Sequence, residues 1–316
     1  MRILVCGTNY GSTYIRALAM SHGSMTLVGI LSTGSARSKA YAQHVQIPHY
    51  SNIKDIPDHS VDIACVAVPG EAGQVLVLAL LEKGIHVLCE HPIGALQMRK
   101  ALELAQKKQC VFQVNAHFSD LYAPQAFYNA LHVARQAGEC LHYELSVNLR
   151  TLYSGLDLLG RALGTLKGIL VSPPADPNAL FVNLTLSGPS VNVSMLCQNF
   201  ASEADDGSAT LINHRMSATF PHGNLLLAET NGPVLWFPSP VSMPADQWQN
   251  YLPVDLAVLK QDQLMGQRDG ANLAKIQAME STIQGGPTPL EQEPEYLLQL
   301  SALWEETLAT LQPELA

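Results

Sequence analysis

Over its first 115 residues the chain alternates short apolar runs with longer amphipathic segments. Ile3–Cys6, Leu27–Leu31, Asp62–Val68, Ile85–Cys89 and Val111–Asn115 are short, rich in Val, Ile and Leu, and closed by Gly, Ser or Pro, the pattern of strands buried on both faces. Thr13–Met20, Ser38–Val45, Gly73–Lys83 and Leu96–Lys108 lie between them and read as helices. This rhythm predicts a doubly wound parallel sheet covered by helices on both faces.

Beyond residue 118 the rhythm changes. Ala123–Ala137 and Tyr153–Leu163 read as helices, followed by strand alternation in Leu180–Leu186, Val191–Gln198, Ala209–Thr219 and Leu225–Thr230. Runs of strands with few helices between them predict an open, largely antiparallel sheet. Pro173-Pro174 and the proline-rich segment 233–253 read as loops, and Glu295–Leu311 as a helix. The expected fold class is therefore α/β: a Rossmann domain over 1–118, then an α+β domain for substrate binding and dimerisation over 119–316. The C-terminal helix is free in this reading to pack back on the first domain.

Composition narrows the function classes. A net charge of −9 argues against nucleic acid or an anionic membrane as partner. The charged share is only 14%, which suggests a largely neutral surface, as an oligomer or a greasy binding face would explain; a homodimer is expected from the fold, through the outer face of the second sheet. The six cysteines show no CxxC pair and no metal-ligand spacing, so reduced core thiols and no metal are expected. The chain opens on a strand, without a signal peptide or a long apolar span, and a soluble cytoplasmic protein is expected.

Three segments carry candidate chemistry. Gly7-Thr8-Asn9-Tyr10-Gly11-Ser12 follows the first strand and opens a helix, where a dinucleotide fingerprint belongs. Gly7 would supply the tight turn, Asn9 stands for the second glycine and Ser12 for the third, leaving the helix start to hold the pyrophosphate. The same residues would also serve as an ordinary strand–helix turn. At the end of the second strand, Ser32-Thr33-Gly34-Ser35-Ala36-Arg37 replaces the Asp or Glu that binds the ribose 2′-hydroxyl in NAD enzymes. Hydroxyls from Ser32, Thr33 and Ser35, with the Arg37 guanidinium and Lys39 behind it, favour a 2′-phosphate and hence NADPH. A solvated basic turn is the bland alternative.

Third, Cys89-Glu90-His91-Pro92 closes a strand at the carboxyl edge of the sheet, where ligands bind. His91 suits a proton donor near neutral pH, with Glu90 orienting the backbone or the ribose and Val68 closing the neighbouring strand; a structural histidine is the alternative.

The turn after the first strand, VDIACVAVP at 61–69 and GIHVLCEHP at 84–92 together resemble the Gfo/Idh/MocA oxidoreductases, whose last motif usually reads Glu-Lys-Pro with a catalytic lysine. Here His91 takes the lysine's place. With CGTNYGSTYIRAL, GILSTGSARSKAYA, residues 152–164 and the closing EYLLQLSALWEE, the chain is similar to one subgroup, the thiazolinyl imine reductases of siderophore assembly lines. The resemblance is dense over 1–115, returns at 150–164 and thins from 165 to 285. It implies NADPH-dependent reduction of a thiazoline C=N to a thiazolidine while the intermediate hangs on a peptide-synthetase carrier protein. It also implies two acids: the histidine matched by His91, and a tyrosine soon after the sixth strand, where this chain has Phe118. Phenylalanine cannot donate a proton, which leaves His91, with His117 or Tyr153 as substitutes. His117 could equally be a solvated loop residue, and Tyr153, four residues before Asp157 on one helix face, could equally be structural. Two other readings stay open: a sugar or polyol dehydrogenase of the same fold, and a non-catalytic NADP-binding sensor.

Overall fold

The computed structural model describes residues 1–189, 191–200, 209–239, 249–251 and 261–312. The chain divides into two compact units, one formed by 1–117 and 265–297, the other by 118–264 and 298–316. The sequence places a single boundary after residue 118; in the structure the segment 265–297 joins the first unit.

The first unit is built on a six-stranded parallel sheet of order β3-β2-β1-β4-β5-β6. Its strands are β1 Arg2–Cys6, β2 Thr26–Leu31, β3 His49–Tyr50, β4 Ile63–Val66, β5 His86–Glu90 and β6 Phe112–Asn115. The helices between them are α1 Ser12–Ala19, α2 Ala36–His44, α3 Gly70–Glu82 and α4 Ala95–Lys108. This is the doubly wound order in which the chain reverses direction across the sheet between β1 and β4, and ligands bind at the carboxyl ends beside that point. The two-residue β3 escapes the periodic pattern because it is too short to show one.

One face of this sheet packs Ile3, Val5, Ile30, Ile63 and Cys65 against Tyr14, Ile15 and Leu18 of α1. Ile276 and Met279 complete the same cluster. They belong to a long helix, Gln261–Ile283, whose first unit portion begins at Met265. The sequence reading assigns no helix there, since Gly266, Gly270 and many polar residues dilute the periodicity.

The second unit holds α5 Tyr122–Ala137, β7 His142–Asn148, α6 Leu152–Leu163, β8 Leu170–Ser172, β9 Phe181–Gly188, β10 Val191–Gln198, β11 His214–Phe220, β12 Gly223–Leu227, β13 Val234–Pro238 and β14 Gln249–Asn250. The helix Gln261–Ile283 is α7, and α8 is Pro294–Leu311. Strands β14-β13-β12-β11-β7-β10-β9-β8 form an eight-stranded sheet, antiparallel except for the β10–β7 pair. The central strand β7 alternates buried Tyr143, Leu145 and Val147 with more exposed His142, Glu144 and Ser146, yet its place directly after a helix hides it from a coarse reading. The expected loop 233–253 is corrected by β13: valine, leucine, tryptophan and phenylalanine between Pro233 and Pro238 pair with β12. Residues 240–248 and 252–253 of that expected loop lie outside the described residues.

All six cysteines are free. Cys6, Cys65 and Cys89 sit on β1, β4 and β5, and burial pushes each thiol's pKa up. Among the described residues no helix is long and apolar enough to cross a membrane.

Candidate active site at the carboxyl rim of the parallel sheet

The turn after β1 is shaped by close approach of backbone to backbone. Gly7 has φ +83°, and a Cβ there would lie 2.9 Å from the Ala67 carbonyl oxygen and 3.2 Å from a Val68 methyl. A Cβ on Gly11 would lie 2.1 Å from the Gly7 carbonyl oxygen and 2.9 Å from a Val5 methyl. The tight helix–strand packing expected of the fingerprint's third glycine is therefore carried by Gly11, one place before Ser12. Ser12 instead donates its hydroxyl to the Asn9 carbonyl at 2.9 Å. Asn9 is not among the residues with positive φ, so the turn does not call on its tolerance for unusual angles. Thr8 is buried and Asn9 exposed. Among the described residues no side chain caps the start of α1, and its first turn carries no acidic residue, which leaves the partial positive charge of the helix start available to an anion.

At the end of β2 the expected hydroxyls divide their duties. Ser32 Oγ lies 2.8 Å from His49 Nε2 on β3 and accepts from the Gly34 N–H at 3.2 Å. Ser35 caps α2, accepting from the Ser38 N–H. Thr33 and Arg37 are exposed, Arg37 in the first turn of α2, and the Lys39 side chain passes beside Gly34. His49 is the member of this cluster that the sequence reading missed; only the pairing of β3 with β2 brings it there.

Glu90 and His91 stand at the end of β5, with a cis peptide bond between His91 and Pro92. The Glu90 carboxylate turns inward. Its Oε1 accepts from the Tyr14 hydroxyl and from Asn115 Nδ2 at 2.7 Å, while Oε2 lies 3.9 Å from His91 Nδ1. Asn115 Nδ2 also contacts the Tyr14 hydroxyl at 2.7 Å and Asn272 Oδ1 at 2.8 Å, and Asn272 Nδ2 donates to Thr13 Oγ1 at 3.1 Å. Burial pushes the Glu90 pKa up to about 7, against the opposing pull of the Tyr14 and Asn115 hydrogen bonds and of Arg268. The His91 ring is fixed from the other side: its Nδ1 lies 2.7 Å from the Asn115 carbonyl oxygen. Tyr14, Asn115 and Asn272 carry no motif and come from α1, β6 and α7, so only the fold could collect them.

His117 is buried, not solvated, and its Nδ1 lies 2.9 Å from the Tyr10 hydroxyl. Its ring is 6.3 Å from that of His91, centroid to centroid. The structure therefore brings Tyr10, Glu90, His91 and His117 together at one end of the sheet. Burial together with the Glu90 charge raises the Tyr10 phenol's pKa well above its ordinary value.

The remaining candidates belong to the second unit. Tyr153 is buried on α6 with its ring 5.9 Å from that of Trp304, edge to face. Asp157 accepts from Arg161 Nε at 2.9 Å, and the same guanidinium reaches Asp120 at 2.6 Å. Phe118 packs its ring 4.9 Å from that of His214. His214 is itself buried between the hydroxyls of Ser154 at 2.8 Å and Thr230 at 2.9 Å.

Comparison with known proteins adds family to geometry. Residues 1–116 match the model of the oxidoreductase family with an NAD-binding Rossmann fold, and residues 139–237 that of "Thiazolinyl imine reductase Irp3-like, C-terminal". No curated protein matches the chain in sequence. Among solved structures, an oxidoreductase from Agrobacterium radiobacter in complex with NAD+, L-tartaric acid and magnesium is similar at TM-score 0.74 and 13% identity, over 98% of this chain and 96% of that one. An oxidoreductase from Thermotoga maritima gives 0.74 and 14%, over 98% and 96%. A mutant 3-ketoreductase from Actinomadura kijaniata, in complex with TDP-benzene and NADP, gives 0.69 and 15%, over 96% of each chain. At these identities the structures speak for the fold alone. The two family models lie in tandem along the chain: residues 1–116 carry an oxidoreductase domain of the Gfo/Idh/MocA kind, and residues 139–237 are similar to the Irp3-like thiazolinyl imine reductase C-terminal domain.

Proposed function

We propose that the protein is an NADPH-dependent imine reductase that converts a thiazoline C=N to a thiazolidine on an intermediate held by a peptide-synthetase carrier protein. The observation that carries the reading is the pairing of the Irp3-like C-terminal match with a histidine, His91, at the strand end where this family usually has lysine.

The rim fits a phosphorylated dinucleotide. The crowding at Gly7 and Gly11 leaves no room for a side chain at either position, and Gly7 to Ser12 would hold the pyrophosphate at the helix start. No carboxylate occurs from Ser32 to Arg37, and Ser32, Thr33, Ser35 and Arg37 would hold the 2′-phosphate. Val68 and Glu90, at the ends of neighbouring strands, would border the nicotinamide. Bound there, the nicotinamide supplies the hydride that the imine carbon needs. The protein's own part is the proton: His91 gives it to the ring nitrogen as that atom gains its electron pair. His117 and Tyr153 are the substitutes, and the burial of both makes His91 the stronger candidate.

The test is to mix the protein with NADPH and a thiazoline loaded on a carrier, or a small thiazoline mimic, and follow NADPH oxidation. Oxidation that depends on the thiazoline supports the reading. NADP+ reduction by polyols with none of that activity would replace it by a sugar-type dehydrogenase, and tight NADPH binding without turnover by a sensor.

A further inference from the structure

The polar network beneath His91 has no part in the chemistry so far. A carboxylate inside a core is costly unless hydrogen bonds and charges compensate it. Here the Tyr14 hydroxyl and the Asn115 amide both donate to Oε1 of Glu90, and the other oxygen is left 3.9 Å from the His91 ring. Asn115 is held at both ends. Its side-chain amide is surrounded by three acceptors, the Tyr14 hydroxyl, Glu90 and Asn272, which dictate that the nitrogen faces them. Its backbone carbonyl meets His91 Nδ1. A carbonyl oxygen only accepts, so that ring nitrogen carries a hydrogen.

We propose that Asn115 and Glu90 are positioning residues for His91: the Asn115 carbonyl holds the proton on Nδ1, so that Nε2 gives and takes the catalytic proton, and the Glu90 carboxylate stabilises the imidazolium. The inference rests on the reading of His91 as the acid. The groups facing Glu90 are Tyr14 on α1, Tyr10 in the turn before it, Cys65 on β4, Cys89 on its own strand and Arg268 on α7. Of these only Arg268 is a fixed cation. Once ionised, Glu90 meets Arg268 and, 3.9 Å from its Oε2, the His91 ring.

Glutamine at position 90 keeps the size and the acceptor for Tyr14 and Asn115 while deleting the charge, so a merely structural role would survive it. The experiment is nitrogen-15 NMR of the histidine rings in the full chain, with the His91 signals identified by their loss in His91→Ala. The neutral ring is expected to carry its proton on Nδ1. In Glu90→Gln the tautomer should persist while the titration midpoint falls by about 1 pH unit or more, the usual effect of an opposite charge at this range. A ring protonated on Nε2, or a midpoint that stays put, overturns the proposal. If Glu90→Gln does not fold, Tyr14→Phe removes one donor to the carboxylate and should lower the midpoint in the same direction by less; no movement there overturns it equally. Turnover of His91→Ala separates the two levels. Unchanged turnover with a shifted midpoint removes the acid assignment, whereas lost turnover with an unmoved midpoint removes only the coupling.

Discussion

The His91 ring is anchored through Nδ1 to the backbone carbonyl of Asn115, 2.7 Å away. A ring held by the main chain of the neighbouring strand keeps its aim when the surrounding side chains shift, which is what proton transfer in a transition state demands. His91→Ala should therefore lower kcat by about 10²–10⁴-fold, the range for a positioned acid. The dissociation constant for NADPH should change little, because the groups assigned to the phosphates lie on other loops. Steady-state turnover and a fluorescence titration of NADPH check the two halves separately.

Glu90 gives stability a pH dependence with an uncommon sign. Its carboxyl is only 14% exposed, and burial raises its pKa from the ordinary 4.5 to about 7. Between these values the folded chain keeps a proton that the unfolded chain has released, so stability falls as pH rises across that window. The accumulated loss is roughly 3 kcal/mol at 1.36 kcal/mol per pH unit. Asp62, whose pKa is lowered by its bond to Arg2, acts in the opposite sense, losing stability as pH falls. Denaturant melts of the wild type and Glu90→Gln at pH 5 and pH 8 cancel such shared terms in their difference. The variant should gain relative to the wild type on going from pH 5 to pH 8.

The first unit was largely legible because its strands are buried on both faces, and buried parallel strands write continuous apolar runs such as Ile3–Cys6 and Asp62–Val68 into the sequence. The turn at Gly7, the hydroxyl-rich stretch before Arg37 and the Glu90-His91 pair stand out in the sequence by position alone. His49, Tyr14, Asn115 and Asn272 do not, since each is an ordinary residue on its own element and gains meaning only from strand pairing or from the return of α7. In the second unit, β7 alternates clearly but follows a helix without a strong punctuating run, and β13 is framed by prolines that imitate a loop. Gly11 lies within the fingerprint, but the spacing assigns its packing duty to Ser12, because a spacing rule counts residues and cannot see which Cβ would strike a carbonyl.

That duty is testable against a control inside the same protein. A methyl on Gly11 would sit 2.1 Å from the Gly7 carbonyl oxygen, whereas one on Gly266, in α7, would meet nothing within 4 Å. Gly11→Ala must push backbone apart and should cost about 1–3 kcal/mol, the range for overpacking a tight core, together with weaker NADPH binding. Gly266→Ala relieves the entropy cost of glycine in a helix and should stabilise by about 0.5–1 kcal/mol. Thermal melts of the two variants should therefore move in opposite directions. A Gly11→Ala protein that melts with the wild type would show that the turn relaxes freely.

Coenzyme choice turns on the cluster at the end of β2. Ser35 is committed to capping α2 and Ser32 to His49 and the Gly34 N–H, so their hydroxyls can shape the loop as well as meet a phosphate. Arg37 is exposed in the first turn of α2, and a guanidinium is the group best suited to a dianionic 2′-phosphate. A hydrogen bond to a charged group contributes about 1.5–3 kcal/mol, so Arg37→Ala should raise the KM for NADPH about tenfold or more. NADH has no 2′-phosphate, and its KM should stay where it was. Arg37→Asp goes further: the new carboxylate repels the 2′-phosphate and offers the ribose 2′-hydroxyl of NADH an acceptor, so the preference should invert. Measuring KM for both coenzymes across the two variants decides the matter; equal losses for NADPH and NADH would place Arg37 outside the phosphate site and leave the discrimination to Ser32 and Thr33.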